Sequence, residues 1–247
     1  VPASVLLSKS YALQRLKALD WSSACPRMPD PGVVDQTEIR NGDSGLNAGS
    51  GKSERDTSYL CVIDSWGNMF SATPSDPFGA PILPDLGFAI SSRGSQSWLD
   101  ESHPSCLAPG KRPRLTPNPA IVFRHGTPWM AFGTPGGDIQ PQAMVQVLLN
   151  LIEFGMDPQQ GVEAPRFGSQ SFPNSFWPHT YKPGLLNMEE RIDDSVAQML
   201  TQKGHIVDRW KSWDAMAGGI CLALYGDEAG TIIGAADPRR QCYAIGR

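Results

Sequence analysis

The chain has 247 residues, enough for one sizeable domain or two small ones. Its 21 basic and 25 acidic residues give a net charge of −4, and it contains no long basic block. The usual electrostatic footprint of a nucleic-acid-binding protein is therefore missing. Hydrophobic residues make up 40% of the chain, so a core can form, but the longest apolar stretch, residues 143–154, is too short and too polar to span a bilayer.

Glycine and proline are abundant, with 25 and 22 residues, which favours a turn-rich domain with many strands over a helical bundle. The five cysteines have no Cys-x-x-Cys spacing and the four histidines are scattered, so we expect no metal site, no disulfide framework and no cofactor. Free cysteines are typical of a reducing compartment and favour the cytoplasm as the localisation.

Three segments follow each other along the chain. Residues 1–39 carry one predicted helix, over 3–19, and a proline-rich connection. Residues 40–56 are rich in glycine and serine, which is typical of a flexible linker or an exposed loop. The character changes abruptly at Thr57, so we expect residues 57–247 to form the main structural unit.

Two β-hairpins are predicted in this main unit. Residues 57–64 and 69–75 flank the tight turn 65–68, and residues 119–134 repeat the same pattern. Between the hairpins lies an irregular stretch, residues 77–117, that is dense in glycine, proline and serine.

A helix is predicted to begin with Asp138 as its N-cap, to carry Pro141 in its first turn and to end at Gly155. Its apolar residues nearly encircle it, so we expect it to be buried. The remaining predicted elements are a helix over 189–202, ended by Gly204, and strands over 220–225 and 231–236. This order of strands and helices predicts an α+β layered domain.

Thr57 is the first candidate for chemistry, because it stands where the predicted linker meets the first strand. A threonine released at a chain N-terminus carries nucleophile and base together, since its own α-amine can accept the hydroxyl proton. A linker-to-strand junction is a place where such a scission is sterically possible. Threonine is also a common strand residue, so the position alone leaves a structural role open.

Two loops are further candidates. In the loop Gly133–Asp138, the adjacent Gly136 and Gly137 let backbone N–H groups approach a ligand, and the following helix start favours negative charge. An oxyanion hole, a phosphate cradle and a plain turn all fit this pattern, whereas the spacing of nucleotide-binding motifs is absent. The segment Lys111–Arg114 has three cations, which suit either a carboxylate or a solvated turn.

Together these features resemble a divergent branch of the γ-glutamyltranspeptidase family of N-terminal-nucleophile hydrolases. The motifs that carry the resemblance stand in the family's order and near its spacing: DTSY at 56–59 leading into VIDSWGN, KRPRLTPNPAIV at 111–122, GTPGGD at 133–138, EAPRF at 163–167 and GAADPRR at 234–240. The resemblance covers residues 57–240, with a fainter match of residues 6–12 to the end of the family's large subunit. It implies a four-layer αββα sandwich, of which this chain supplies a part.

The resemblance also implies a precursor that cleaves itself between Asp56 and Thr57 and then uses Thr57 to attack an amide. Gly136 and Gly137 correspond to the family's oxyanion-hole pair, whose N–H groups stabilise the tetrahedral intermediate. Ser75 stands where the family has a threonine hydroxyl that orients the nucleophile. The implied activity is hydrolysis or transfer of γ-glutamyl-type amides through an acyl-enzyme, without a cofactor.

The family's substrate-binding residues are changed here. Its asparagine that holds the substrate α-amino group corresponds to Asp76, and the Gln and Asp that share this task become Arg93 and Gln96. One of the serines that grip the α-carboxylate becomes Thr116, with Arg114 nearby. A cation at position 93 repels an ammonium group and attracts a carboxylate. We therefore expect weakened γ-glutamyl recognition and keep open a small anionic amide, such as oxamate, as the alternative substrate.

In the family a whole large subunit precedes the nucleophile, whereas only residues 1–56 precede Thr57 here. We therefore expect this chain to be the C-terminal part of a longer precursor, with a companion large-subunit chain and a small-molecule amide as its partners. Two other interpretations stay open. One is a homologue that does not cleave itself and serves as a binding or assembly module, and the other is a phosphate-binding protein that uses Gly136 and Gly137.

Overall fold

Helices and strands are mixed along the chain, as predicted. The computed structural model describes residues 2–29, 32, 57–76, 81–228 and 230–246, so the predicted linker at 40–56, with Asp56, lies outside the described residues. The strands are β1 Leu60–Ile63, β2 Met69–Ala72, β3 Ile82–Leu83, β4 Phe88–Ala89, β5 Ala120–Arg124, β6 Thr127–Gly133, β7 Phe167–Ser169, β8 Leu185–Glu189, β9 Ile206–Trp210, β10 Cys221–Tyr225 and β11 Ile232–Ala236. The α-helices are α1 Ala3–Leu6, α2 Lys9–Lys17, α3 Gln140–Ile152, α4 Pro158–Glu163 and α5 Asp194–Gln202.

Strands β1 and β2 form the first predicted hairpin, in antiparallel register with Val62 opposite Phe70. The turn is tight because the Asp64 carboxylate accepts hydrogen bonds from the backbone N–H groups of Trp66 and Asn68, at 2.9 and 2.8 Å. Side chains alternate between the two faces of the hairpin. One face packs on the central sheet, while Val62 and Phe70 on the other face are exposed.

The central sheet has four antiparallel strands in the order β11-β10-β6-β5. Strands β5 and β6 are the second predicted hairpin, and β10 and β11 are the predicted final strands. Met130 and Phe132 of β6 join Ala143, Met144 and Val147 of α3 in the buried core. The hairpin β1–β2 packs on the other face of the sheet, so the chain forms three stacked layers: hairpin, sheet and helices.

Helix α3 differs from its prediction at the start and in its burial. Asp138 is not the N-cap, because a 3-10 turn over Gly137–Ile139 precedes the helix. Pro141 lies in the first turn, as predicted. One face of α3 is buried, but Val145 and Ile152 on the opposite face are 54% and 49% exposed. The expected burial on all sides is therefore wrong for this chain, which covers only one side of the helix.

A third sheet, in the order β7-β8-β9, pairs β7 with β8 antiparallel and β8 with β9 parallel. The helix predicted over 189–202 begins later than expected, because Glu189 is the last residue of β8. Asp193 is the N-cap of α5, and its carboxylate accepts a hydrogen bond from the Ser195 N–H at 2.7 Å. Gly204 follows the helix with a φ of 94°, which suits the predicted stop.

The N-terminal helix predicted over 3–19 is divided into α1 and α2. Ser8 separates them, and its hydroxyl accepts a hydrogen bond from the Tyr11 N–H at 3.2 Å as the N-cap of α2. No α-helix in the described part of the chain is long and apolar enough to cross a membrane. The same residues contain no group of three or more histidine, cysteine or acidic side chains that could hold a metal ion.

Candidate active site

The hairpin β1–β2 brings two hydroxyl groups together at its open end. Thr57 lies just before β1 and Ser75 lies just after β2, so the antiparallel strands place them side by side. The Ser58 N–H donates to the Pro74 carbonyl at 3.0 Å and extends the pairing beyond the strands. As a result, Thr57 Oγ1 and Ser75 Oγ are 2.5 Å apart, within hydrogen-bond distance. Both residues are partly buried.

Arg93 adjoins this hydroxyl pair, from a 3-10 turn over Ser92–Gln96. Its Nε donates to the Ser75 carbonyl at 2.9 Å, and its Nη2 donates to both the carbonyl and the Oγ of Ser75. Its Nη1 donates to Thr116 Oγ1 at 3.2 Å. The guanidinium carbon also lies 5.3 Å from the centre of the Phe176 ring, on its face. Arg93 therefore joins the nucleophile candidate to the predicted substrate-binding residues.

Gln96 and Thr116 complete this hydrogen-bonded chain, and both are buried. Gln96 Nε2 donates to Thr116 Oγ1 at 3.1 Å, so that hydroxyl oxygen accepts from both Arg93 and Gln96. The Gln96 Oε1 atom is buried without a hydrogen-bond partner among the described residues. The structure thus connects Thr57, Ser75, Arg93, Thr116 and Gln96 in one continuous chain of contacts.

The stretch that carries Arg93 and Gln96 is held in place by aromatic stacking, although its sequence predicts only irregular structure. The Trp98 ring is stacked between His103 and His179, with both ring centres 4.0 Å away. The Trp177 N–H donates to the Ser95 carbonyl at 2.8 Å. These contacts explain why a loop rich in glycine, proline and serine can hold a guanidinium in one place.

Two other predicted binding residues have different surroundings. Asp76 is exposed, and its carboxylate accepts a hydrogen bond from the Ser91 hydroxyl at 2.7 Å. Arg114 is also exposed, and its Nη2 lies 3.8 Å from a carboxylate oxygen of Asp138. Arg114 therefore lies near the glycine loop, whereas Asp76 lies beside the segment of Arg93.

The glycine loop between β6 and α3 has a backbone that favours glycine. Gly136 and Gly137 have φ values of 135° and 58°. A Cβ atom on Gly136 would lie 2.3 Å from Ile139 Cγ2, so a side chain there would collide. At the start of the loop, a Cβ on Gly133 would lie 2.3 Å from the Tyr59 ring. Because Tyr59 follows Thr57 by two residues, the loop begins close to the nucleophile candidate.

Thr134 and Asp138 fix the two ends of the glycine loop. The fully buried Thr134 hydroxyl donates to the Pro135 carbonyl at 2.7 Å and accepts from the Gly219 N–H at 2.7 Å. The Asp138 carboxylate accepts from the Ser175 N–H at 2.8 Å and also from the Ser175 hydroxyl. Asp138 thus anchors the loop to a distant segment instead of capping α3.

The motifs at 163–167 and 234–240 supply Arg166, Asp237 and Arg239, and the end of β8 supplies Glu189. These four buried residues form an ion cluster, which we call the buried ion cluster. Arg239 Nη2 lies 2.6 Å from Glu189, and its Nη1 lies 3.1 Å from Asp237. Arg166 forms an ion pair with Asp237 and donates its backbone N–H to Glu189 at 2.9 Å. Burial opposes ionisation of Glu189, but the hydrogen bonds and positive charge of Arg239 hold the pKa of Glu189 below its usual range.

The buried ion cluster also supports the glycine loop through the backbone. Asp237 accepts a hydrogen bond from the Ile220 N–H at 3.0 Å, next to the Gly219 N–H that donates to Thr134. Three residues of the buried ion cluster, Arg166, Asp237 and Arg239, lie in motifs of the family resemblance, but no role was predicted for them from the sequence. A signal was available, because Asp237 and Arg239 directly follow a strongly apolar strand, where charged side chains are buried only if they are paired.

A family model described as Gamma-glutamyltranspeptidase matches residues 1–246. The chain is 35% identical over 196 residues to the glutathione hydrolase-like YwrD proenzyme of Bacillus subtilis (strain 168), covering 77% of this chain and 36% of that protein. It is 31% identical over 201 residues to the oxamate amidohydrolase proenzyme of Klebsiella pneumoniae, covering 80% and 37%. A solved structure of LmbA2991HD is 34% identical, with a TM-score of 0.82, over 100% of this chain and 44% of that one.

Other relatives are an acylase proenzyme from Pseudomonas and a glutathione hydrolase proenzyme from Bacillus subtilis, so the named relatives are hydrolases made as proenzymes. The chain spans less than half the length of each of these relatives. The family match extends over nearly the whole chain, including the hairpin, the glycine loop and the buried ion cluster. The chain belongs to the gamma-glutamyltranspeptidase family.

Proposed function

We propose that this chain is the catalytic part of a self-processing N-terminal-threonine amidohydrolase or acyltransferase, with Thr57 as the nucleophile. The observation that carries the proposal is the hydroxyl pair, in which Thr57 Oγ1 lies 2.5 Å from Ser75 Oγ at the open end of a hairpin. A reactive hydroxyl needs a partner that orients it, and the short contact with Ser75 supports this role for Ser75.

In the proposed self-cleavage, Thr57 Oγ1 attacks the carbonyl carbon of Asp56. The bond between that carbon and the Thr57 nitrogen breaks, an ester forms on Oγ1, and the hydroxyl proton passes to the nitrogen. Water then hydrolyses the ester, which leaves a carboxylic acid on Asp56 and a free α-amine on Thr57. The cleavage therefore creates the base that the mature enzyme uses.

In the proposed turnover, the α-amine of Thr57 accepts the hydroxyl proton while Oγ1 attacks the carbonyl carbon of an amide. The backbone N–H groups of Gly136 and Gly137 would stabilise the oxyanion of the tetrahedral intermediate. The carbon–nitrogen bond of the amide breaks, and the leaving amine takes the proton. Water or a second amine then resolves the acyl-enzyme, which gives hydrolysis or transfer.

The proposed acyl group is of the γ-glutamyl type, as the names of the glutathione hydrolase relatives suggest. Asp76, Gln96, Arg114 and Thr116 are the residues proposed to bind it. One observation favours a second candidate, a small anionic amide such as oxamate. The Arg93 guanidinium donates to Ser75 Oγ, next to Thr57, so a positive charge stands where an ammonium group would be repelled and a short carboxylate attracted.

We also propose that residues 57–247 are the small-subunit catalytic region, that 1–39 end a large-subunit region and that 40–56 link the two. A companion chain from the same precursor would then complete a four-layer αββα sandwich. The outer face of the hairpin supports this, because Leu60, Val62 and Phe70 are between 44% and 57% exposed there. A fourth layer on this face would bury them.

The test is the intact mass and the N-terminal sequence of the full precursor, purified as wild type, Thr57→Ser and Thr57→Val. We expect a new N-terminus Thr-Ser-Tyr in the wild type, slower cleavage in the serine variant and none in the valine variant, which keeps the shape but not the hydroxyl. An uncleaved wild type would refute the proposal and favour a binding or assembly module.

The cleaved enzyme is then assayed on a γ-glutamyl anilide and on oxamate. Faster turnover of the anilide supports γ-glutamyl specificity, and faster turnover of oxamate supports the small-anion alternative. If the cleaved enzyme turns over neither compound, the substrate proposal is wrong in both forms.

A further inference from the structure

Arg93 stands in the hydrogen-bond chain of the nucleophile, beyond any role in binding a carboxylate. A guanidinium has five N–H donors and no acceptor, so every hydrogen bond of Arg93 with Ser75 is donated by Arg93. Ser75 Oγ therefore accepts from Arg93 and cannot donate its proton in that direction. Thr57 Oγ1 lies 2.5 Å from Ser75 Oγ and is able to accept the Ser75 proton.

We propose that Arg93 is a positioning residue that holds Ser75 as the hydrogen-bond donor to Thr57 Oγ1. The inference rests on the proposed role of Thr57 as the nucleophile and deepens it. With Ser75 donating, the Thr57 hydroxyl proton is left free to leave toward nitrogen, as both self-cleavage and turnover require. As charge develops on Oγ1, the donated hydrogen bond strengthens, because a bond to an ionised acceptor is stronger than one to a neutral acceptor.

The guanidinium is held firmly enough to set this direction. Its Nε and Nη2 both engage the Ser75 carbonyl, and its Nη1 donates to the buried Thr116 hydroxyl, which Gln96 also fixes. The Phe176 ring supports the guanidinium. The Arg93 donor takes one acceptor position of Ser75 Oγ and so favours the direction in which Ser75 donates to Thr57. Loss of Arg93 would favour the reverse direction, in which Ser75 accepts the Thr57 proton and holds it in place when it has to leave.

The rate of self-cleavage distinguishes the positioning role of Arg93 from a role in substrate binding, because self-cleavage needs no external substrate. The precursor variants Arg93→Ala, Arg93→Lys and Arg93→Gln are compared with wild type, and Arg124→Ala is the matched loss of a cation. Arg124 forms an exposed ion pair with Asp227 and stacks on Trp129, away from the hydroxyl pair. We expect Arg93→Ala to slow self-cleavage by on the order of tenfold or more, Gln and Lys to recover part of the rate, and Arg124→Ala to match wild type.

A double-mutant cycle with Ser75 is the decisive measurement. If Arg93 acts through Ser75, then Arg93→Ala slows self-cleavage little or not at all once Ser75→Ala is present. In the cleaved enzyme, Arg93→Ala should lower kcat for both a neutral and an anionic acyl group, and KM for the neutral acyl group should stay nearly unchanged. Circular dichroism shows that each variant is folded, and Arg93→Gln carries the same comparison if the alanine variant does not fold.

Two results would overturn the inference. One is wild-type self-cleavage in Arg93→Ala, with only KM for anionic acyl groups raised, which would make Arg93 a substrate-binding residue alone. The other is two independent effects that multiply in the double variant. Either result leaves Thr57 as the nucleophile, whereas failure of the wild type to cleave itself would refute the proposed function.

Discussion

Two regions of the molecule use arginine side chains in opposite ways. In the buried ion cluster, Arg239 is fully buried and donates to the carboxylates of Glu189 and Asp237. At the hairpin end, Arg93 is only partly buried and donates to the hydroxyl and carbonyl oxygens of Ser75 and the hydroxyl of Thr116. Charge is neutralised by charge in the first region, whereas in the second a charge orients neutral groups. The first arrangement should therefore govern stability and the second chemistry.

Removing a carboxylate from the buried ion cluster has the largest expected effect. Asp237→Ala leaves Arg166 and Arg239 without that partner and removes the acceptor of the Ile220 N–H. We expect the free energy of unfolding to fall by about 3–5 kcal/mol, the usual cost of an uncompensated buried charge. Urea unfolding followed by circular dichroism measures the change. A loss below about 1 kcal/mol would remove the contrast between the two regions.

Thr134 lies between the buried ion cluster and the hairpin end, and its substitution should have an intermediate effect on the free energy of unfolding. Thr134→Val keeps the side-chain shape but removes the hydroxyl that donates to the Pro135 carbonyl and accepts from the Gly219 N–H. We expect a loss of about 1–3 kcal/mol in the free energy of unfolding, because two buried polar groups lose their partner. Turnover should fall as well, since the loop carries Gly136. Thr134→Ser is the control, and if it behaves like the valine variant the hydroxyl is not the cause.

The pH dependence of unfolding tests how much the charge of Glu189 stabilises the wild-type protein. The folded-state pKa of Glu189 is lowered from its ordinary value of 4.5, so its ionisation stabilises the fold above that pH. Stability should fall as the pH drops below 4.5, through the lowered folded-state pKa. The change is read from chemical unfolding at a series of acid pH values. Glu189→Gln should be less stable than wild type at neutral pH, and its stability should fall less as the pH drops below 4.5. A fall as steep as that of wild type would show that other carboxylates cause the acid dependence.

The exposed ion pair of Arg124 and Asp227 is the reference for the buried ion cluster, and its loss should have the smallest effect on the free energy of unfolding. The charged atoms are 3.9 Å apart, and both side chains are largely exposed. Asp227→Ala should change the free energy of unfolding by about 1 kcal/mol or less, because solvent screens such a pair. The measurement is the same urea unfolding as for Asp237→Ala. A loss as large as that of the buried variant would mean that burial is not what distinguishes the two regions.

Local patterns allowed the hairpins to be predicted from sequence, and long-range contacts explain most of what was missed. The turn after β1 depends on Asp64 and its near neighbours, so a short segment contains the whole signal. The start of α3 was misplaced because Asp138 binds Ser175, 37 residues away. Glu189 was assigned to a helix, yet its partner Arg239 lies 50 residues later and holds it at the end of a buried strand.

At the site, Thr57 and Ser75 could be paired from their places at the two ends of one hairpin and from the family resemblance. The contact of Arg93 with Ser75 could not be predicted, because the stacking of Trp98 between two histidines sets the path of an otherwise irregular stretch. The expected carboxylate-binding role of Arg93 stays a prediction. Its place beside the hydroxyl pair is what the structure adds.

The sequence separations within the site have a consequence for the order of folding. Thr57 and Ser75 are 18 residues apart and meet when one hairpin closes, whereas Thr134 and Gly219 are 85 residues apart. Closing the longer loop costs roughly 1 kcal/mol more in chain entropy, and contacts of long range form slowly. We expect the hydroxyl pair to assemble early and the glycine loop to be fixed late. The proposed turnover, which uses the glycine loop, would then begin only after the central sheet is complete.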